Sequence, residues 1–83
     1  MKKYKITLVS HYSRHCLNLR IPEEAYIKLF KSDNPIELIR NDQASVRYGY
    51  EPKYLSQYQC RKVNNFFSEN DYDYFDCIEF HDL

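Results

Sequence analysis

Three histidines and three cysteines are the first candidates for ligating a metal ion: His11, His15, Cys16, Cys60, Cys77 and His81. The pairs His11-x3-His15 and Cys77-x3-His81 suit a helical turn or a loop. On a strand, four residues span about 13 Å at roughly 3.3 Å each, too far to share a zinc ion through bonds of about 2.0–2.3 Å. A structural zinc site would therefore draw on His15, Cys16, Cys77 and His81, and only if the second and last strands were neighbours; isolated surface histidines account for the same pattern. The parts of a nucleophilic triad exist in composition, but nothing in their spacing places them together. With one glycine, Gly49, the chain has neither a glycine-rich phosphate cradle nor a nucleophile elbow. A paired-carboxylate glycosidase site needs a cleft that so short a chain rarely builds. The expectation is a protein that is not an enzyme and carries no cofactor.

Two other groupings could bind without catalysing. Arg47-Tyr48-Gly49-Tyr50, with Arg20, Arg40 and Lys53 as possible companions, interleaves cations with rings, the composition that stacks bases and holds a single-stranded backbone. Val46, Tyr48 and Tyr50 would also share one face of a strand, and core packing explains that face equally well. The opposite motif is Glu69, Asp71, Asp73, Asp76, Glu79 and Asp82, interleaved with Tyr72, Tyr74, Phe75 and Phe80. An acidic face with aromatic anchors can occupy a basic groove on another protein, because charge steers the encounter and rings supply contact area. A solvated edge strand guarded by charges is the plain alternative.

The elements that must position these residues follow from periodicity. The clearest is Pro52 to Asn70, where Leu55, Gln59, Cys60, Val63, Phe66 and Phe67 fall within one arc about 140° wide at 100° per residue. That arc is a core face; Tyr54 and Tyr58 flank it beside Arg61, Lys62 and Asn65. Residues 4 to 10 alternate Tyr4, Ile6, Leu8 against Lys5, Thr7, Val9, and His15, Leu17, Leu19, Ile21 alternate with Cys16, Asn18, Arg20, which predicts an antiparallel hairpin closed by four or five residues. Pro22-Glu23-Glu24 starts a helix with Ala25, Tyr26, Leu29 and Phe30 inward and Ser32 to Pro35 at its end. Residues 36–40 read as strand or as a short helix capped by Asn34-Pro35; the strand is favoured, in a hairpin with Ser45 to Glu51. Tyr72 to His81 alternates as a last strand. The expected fold is α+β, order ββαββαβ, an antiparallel sheet of four to five strands with two helices packed on it.

At 83 residues the chain makes one domain, 1–83, with 14 aromatic residues to fill a core that buries only roughly 60–65% of the unfolded surface. Three cysteines without framework spacing point to reduced thiols in a cytoplasmic setting. No apolar run approaches the roughly 18 residues of a membrane span, so no membrane partner is expected. The formal net charge is zero, yet the charge is split: all twelve Lys and Arg lie in residues 1–62 with six acids, and the other six acids lie in residues 63–83 without a base.

Tyr4-Lys5-Ile6 and Cys77-x-Glu79-Phe80-x-x-Leu83, together with the overall size, resemble small phage-encoded anti-CRISPR proteins that inhibit RNA-guided nucleases. The resemblance covers about a tenth of the chain. It implies stoichiometric inhibition of a bacterial defence protein by surface contact, without cofactor, in the host-cell cytoplasm. The resulting expectation is a non-enzymatic protein-interaction domain whose partner is a larger protein such as a host nuclease or its complex. Its contact residues would be Asp71, Tyr72, Asp73, Tyr74, Asp76 and Glu79, with Tyr54 and Tyr58. The alternatives are a small nucleic-acid-binding module centred on Arg47, Tyr48 and Tyr50, and a zinc-stabilised domain.

Overall fold

The alternation at the start of the chain becomes a hairpin. In the computed structural model, which describes residues 4–12, 14–67 and 75–82, strand β1 (Tyr4–Ser10) pairs antiparallel with β2 (His15–Ile21), from Tyr4 opposite Ile21 to Ser10 opposite His15. Four residues close the turn, as expected without an Asn-Gly pair, and Arg14 takes the left-handed conformation at φ 61° that such a closure needs. Strand β3 (Cys77–Asp82) runs antiparallel on the other side of β1, with Val9 opposite Cys77 and Tyr4 opposite Asp82. Among the described residues the sheet is therefore three strands in the order β2-β1-β3. Cross-strand partners share a face. Ile6, Leu8, Leu17, Leu19 and Ile21 fall on one side and are buried, while Lys5, Val9, Cys16, Asn18, Arg20, Cys77, Glu79 and His81 share the other.

Helix α1 (Glu23–Lys31) begins after Pro22, has Glu23 and Glu24 in its first turn and Lys28 and Lys31 in its last, and so complements its backbone dipole at both ends. Ala25 and Leu29 are buried as expected. Phe30 is not: it is 62% exposed, its ring lying 6.1 Å from Tyr26 and 5.4 Å from Phe80.

The middle of the chain corrects the sequence reading. Residues 36–40 are helical, part of α2 (Pro35–Arg47), and the expected hairpin partner Ser45 to Glu51 is the end of that helix and the loop beyond it. The deciding signal is at the start, where Asn34 Oδ1 accepts the Glu37 amide hydrogen at 3.2 Å and Pro35 stands in the first turn. The helical repeat was obscured because its buried positions include Asp42 and Gln43 beside Ile39. Gly49, at φ 84°, turns the chain out of the helix.

Helix α3 (Gln57–Phe67) starts five residues later than the expected Pro52. Ser56 Oγ accepts the Gln59 amide hydrogen and Gln59 Oε1 accepts that of Ser56, both at 3.1 Å, a reciprocal cap that sets the first turn. Residues 53–55 stay outside because their amides are taken: Asp42 Oδ1 accepts from Lys53 at 2.8 Å, and Oδ2 from Tyr54 at 2.8 Å and Leu55 at 2.9 Å. Of the expected core arc, Leu55, Cys60, Val63 and Phe67 are buried, Gln59 is half-buried and Phe66 stands at the margin.

Among the described residues the order is thus ββαααβ rather than ββαββαβ: an α+β fold with three strands and three helices. The helices lie on the buried side of the sheet, α1 against β1, α3 against β2 and α2 against β3, with α2 packed on both other helices. One apolar cluster, from Ile6 to Phe75, fills the space between the layers.

Candidate functional site

Strand order decides the zinc question. β1 separates the other two strands, so Cys16 and Cys77 stand on either side of Val9, each opposite it. At about 4.8 Å per strand spacing their backbones are roughly 10 Å apart, beyond the reach of a shared zinc ion or a disulfide. His15, one residue from Cys16, points to the other face, where its ring meets the edge of Phe66 at 5.9 Å. His81 lies opposite Lys5, at the far end of β3 from Cys77. The four proposed ligands are therefore not brought together, and among the described residues no three His, Cys, Asp or Glu side chains are placed to hold a metal ion.

A concavity of about 450 Å³ at the hairpin end is lined by Thr7, Val9, Ser10, His11, Arg14, His15, Cys16 and Glu79. Imidazole, thiol and carboxylate all reach its rim without forming a relay. His11 turns to Asp76, with ring Nδ1 2.9 Å from Oδ1 and the amide donating to the same oxygen at 3.3 Å. Slight desolvation of Asp76 would raise its carboxyl, but these contacts from His11 outweigh it and hold the group below the usual carboxylate range.

The rings and cations form the more developed surface. Tyr48 is 80% exposed and Tyr50 71%, so the face expected to share core packing with Val46 instead stands in water. The loop carrying them is pinned: the Tyr50 amide donates to Ser45 O at 2.7 Å and that of Gly49 to Val46 O at 3.2 Å. Arg47 Nη2 lies 3.5 Å from Asn64 Oδ1 on α3, which also accepts from Gln43 Nε2 at 2.9 Å. Tyr58, Arg61, Lys62 and Asn65 recur at i, i+3, i+4 and i+7 and are all exposed, one polar stripe along α3. The stripe was legible in the sequence. The exposure of Tyr48 and Tyr50 was not, because the strand reading of 45–51 placed those rings on a sheet face.

The other suggested companions diverge. Arg40 turns to Phe75, donating to its carbonyl at 3.3 Å with the guanidinium 5.8 Å from the ring centre. The Arg20 side chain is exposed on the uncovered sheet face, and its backbone carbonyl accepts from Gln59 Nε2 on α3 at 2.6 Å. Lys53 and Tyr54 line a groove of about 150 Å³ with Pro22, Glu24, Ala25 and Lys28. Tyr54 is thus half-buried against the core, whereas Tyr58 is 75% exposed. Of the acidic contact residues expected, Asp76 and Glu79 are exposed, and Asp71, Tyr72, Asp73 and Tyr74 lie outside the described residues.

No family model matches the chain, and searches of the curated proteins and of the solved structures find no significant match. No helix among the described residues is long and apolar enough to cross a membrane.

Proposed function

We propose that this chain is a non-enzymatic interaction domain that binds a larger protein through the loop end of the α2–α3 helix pair. One observation carries the reading: Tyr48 and Tyr50 are exposed directly after Arg47 at the end of α2, and Tyr58 is exposed on the α3 stripe that also carries Arg61 and Lys62. Tyrosine and arginine are the residue types that dominate binding energy when a partner covers them, because each combines large contact area with a polar end. The hydrogen bonds that pin the loop reduce the ordering cost of docking. The cations select a partner with an acidic surface. A stoichiometric, phage-type inhibitor of a bacterial defence nuclease is the form of this function that the sequence resemblance implies.

The second reading, a module for single-stranded nucleic acid, draws on Arg47, Tyr48 and Tyr50, whose exposure leaves two ring faces open for stacking. Affinity capture from a bacterial lysate, with and without nuclease treatment, separates the two. The first reading expects a protein retained after nuclease treatment, lost with Tyr48→Ala/Tyr50→Ala, and whose activity falls when the chain is added in equimolar amount. Capture abolished by nuclease, together with oligonucleotide affinity that falls steeply with salt, would replace it with the second.

A further inference from the structure

Strand β3 forms one edge of the sheet. In the sheet order β2-β1-β3, no strand among the described residues covers that edge. Its hydrogen-bonding groups can be assigned by parity. Val9 O accepts from Asp76, so it faces β3, and the residues of β1 in phase with it, Lys5 and Thr7, face the same way. Their partners His81, Glu79 and Cys77 therefore face β1, which leaves the amide and carbonyl of Ile78 and Phe80 directed outward. No proline interrupts β3, and Pro is one of the devices that blunt an exposed edge.

An antiparallel pairing of two such edges about a two-fold axis at Phe80 is isologous. Phe80 of each copy then exchanges both of its hydrogen bonds with Phe80 of the other. One step out, Glu79 faces His81 of the second copy, and the symmetry makes that pair twice. Within one copy the same two side chains share the exposed sheet face, His81 Nε2 standing 3.7 Å from Glu79 Oε1, so each is already turned to that side. On the opposite face the axis would draw together two copies of an incompletely covered apolar patch: Phe80, the 62%-exposed Phe30 that meets it edge-on at 5.4 Å, and the neighbouring Ile27 on α1. Phe80 itself is only half-buried.

We infer that β3 is the docking site for a second copy of this chain, joining two three-stranded sheets into one of six strands. The inference is independent of the function proposed for the α2–α3 end, which lies on other elements. Sedimentation of the full chain over a wide concentration series tests it, with circular dichroism to confirm that each variant is folded. A reversible monomer–dimer equilibrium is expected. His81→Glu sets like charges opposite each other twice and weakens association about tenfold or more. Phe30→Glu, at an exposed helical position, weakens it as well. Combining Glu79→Lys with His81→Glu restores opposite charges at both pairs and returns the dissociation constant to near its starting value. A chain that stays monomeric throughout, or a dimer indifferent to His81→Glu and Phe30→Glu, overturns the inference.

Discussion

Cys60 lies fully buried near the Asp42 carboxylate, and burial first, the negative charge of Asp42 second, push its thiol up to about 12. Only the thiolate is a good nucleophile. Native protein treated with an alkylating agent at mildly alkaline pH is therefore expected to react at exposed Cys16 first and to spare Cys60. Mass spectrometry of tryptic peptides reads the outcome; equal labelling of Cys16 and Cys60 in folded protein would refute it.

The same shift makes stability depend on pH. In the unfolded chain this thiol deprotonates near its ordinary value of 9.0, whereas in the fold it keeps its proton to about 12. Its contribution is complete below the lower value and is lost as pH rises between the two. Unfolding free energy should fall with a limiting slope of about 1.4 kcal/mol per pH unit from this group. Denaturant titrations from pH 8 to 11 on the native chain and on Cys60→Ala should show the slope reduced in the variant.

Asp42 has a second role as the acceptor for three consecutive amides, those of Lys53, Tyr54 and Leu55. It is 2% exposed, so Asp42→Ala takes the acceptor from the buried Leu55 amide and from the part-buried amides of Lys53 and Tyr54. The expected loss is about 3 kcal/mol or more, with a smaller loss for Asp42→Asn, which keeps one acceptor oxygen. Urea unfolding midpoints at fixed pH compare the two.

Phe67 and Phe66 are adjacent on α3 and should respond differently. Phe67 is 1% exposed and packs on Phe75 with ring centres 5.6 Å apart, while Phe66 is 40% exposed. Phe67→Ala should cost about 3–5 kcal/mol through lost burial and the cavity left behind. Phe66→Ala should cost clearly less, and thermal melts of both variants check the order.

Asp76 should titrate below an ordinary carboxylate as long as His11 holds it. The contact favours the fold above the unfolded-state value, and its benefit disappears as pH falls through the lowered one. Carboxyl carbon chemical shifts followed by NMR should show the Asp76 midpoint move upward in His11→Ala.

The hairpin was legible in the sequence because its period of two is unbroken on both strands and one phase is wholly apolar, from Ile6 and Leu8 to Leu17, Leu19 and Ile21. Helix α3 was legible from its arc for the same reason. What misled was polarity inside the core. Asp42 and Gln43 are buried because each has a partner distant in sequence, Asp42 at residues 53–55 and Gln43 at Asn64, and no local pattern encodes such a partner. Without them the stretch 36–50 looked like two short alternating strands, and Tyr48 and Tyr50 were assigned to a sheet face. The separation of Cys16 from Cys77 depended on strand order, which alternation does not specify.

That order also fixes when the fold can be completed. β1 is made first, yet one of its two flanks is filled only by residues 77–82, the last of the described elements to be made. Until then the nascent hairpin keeps a bare side along Lys5, Thr7 and Val9, open to whichever extended segment arrives first. Completing that flank is a non-local step, which joins the first described strand to the last.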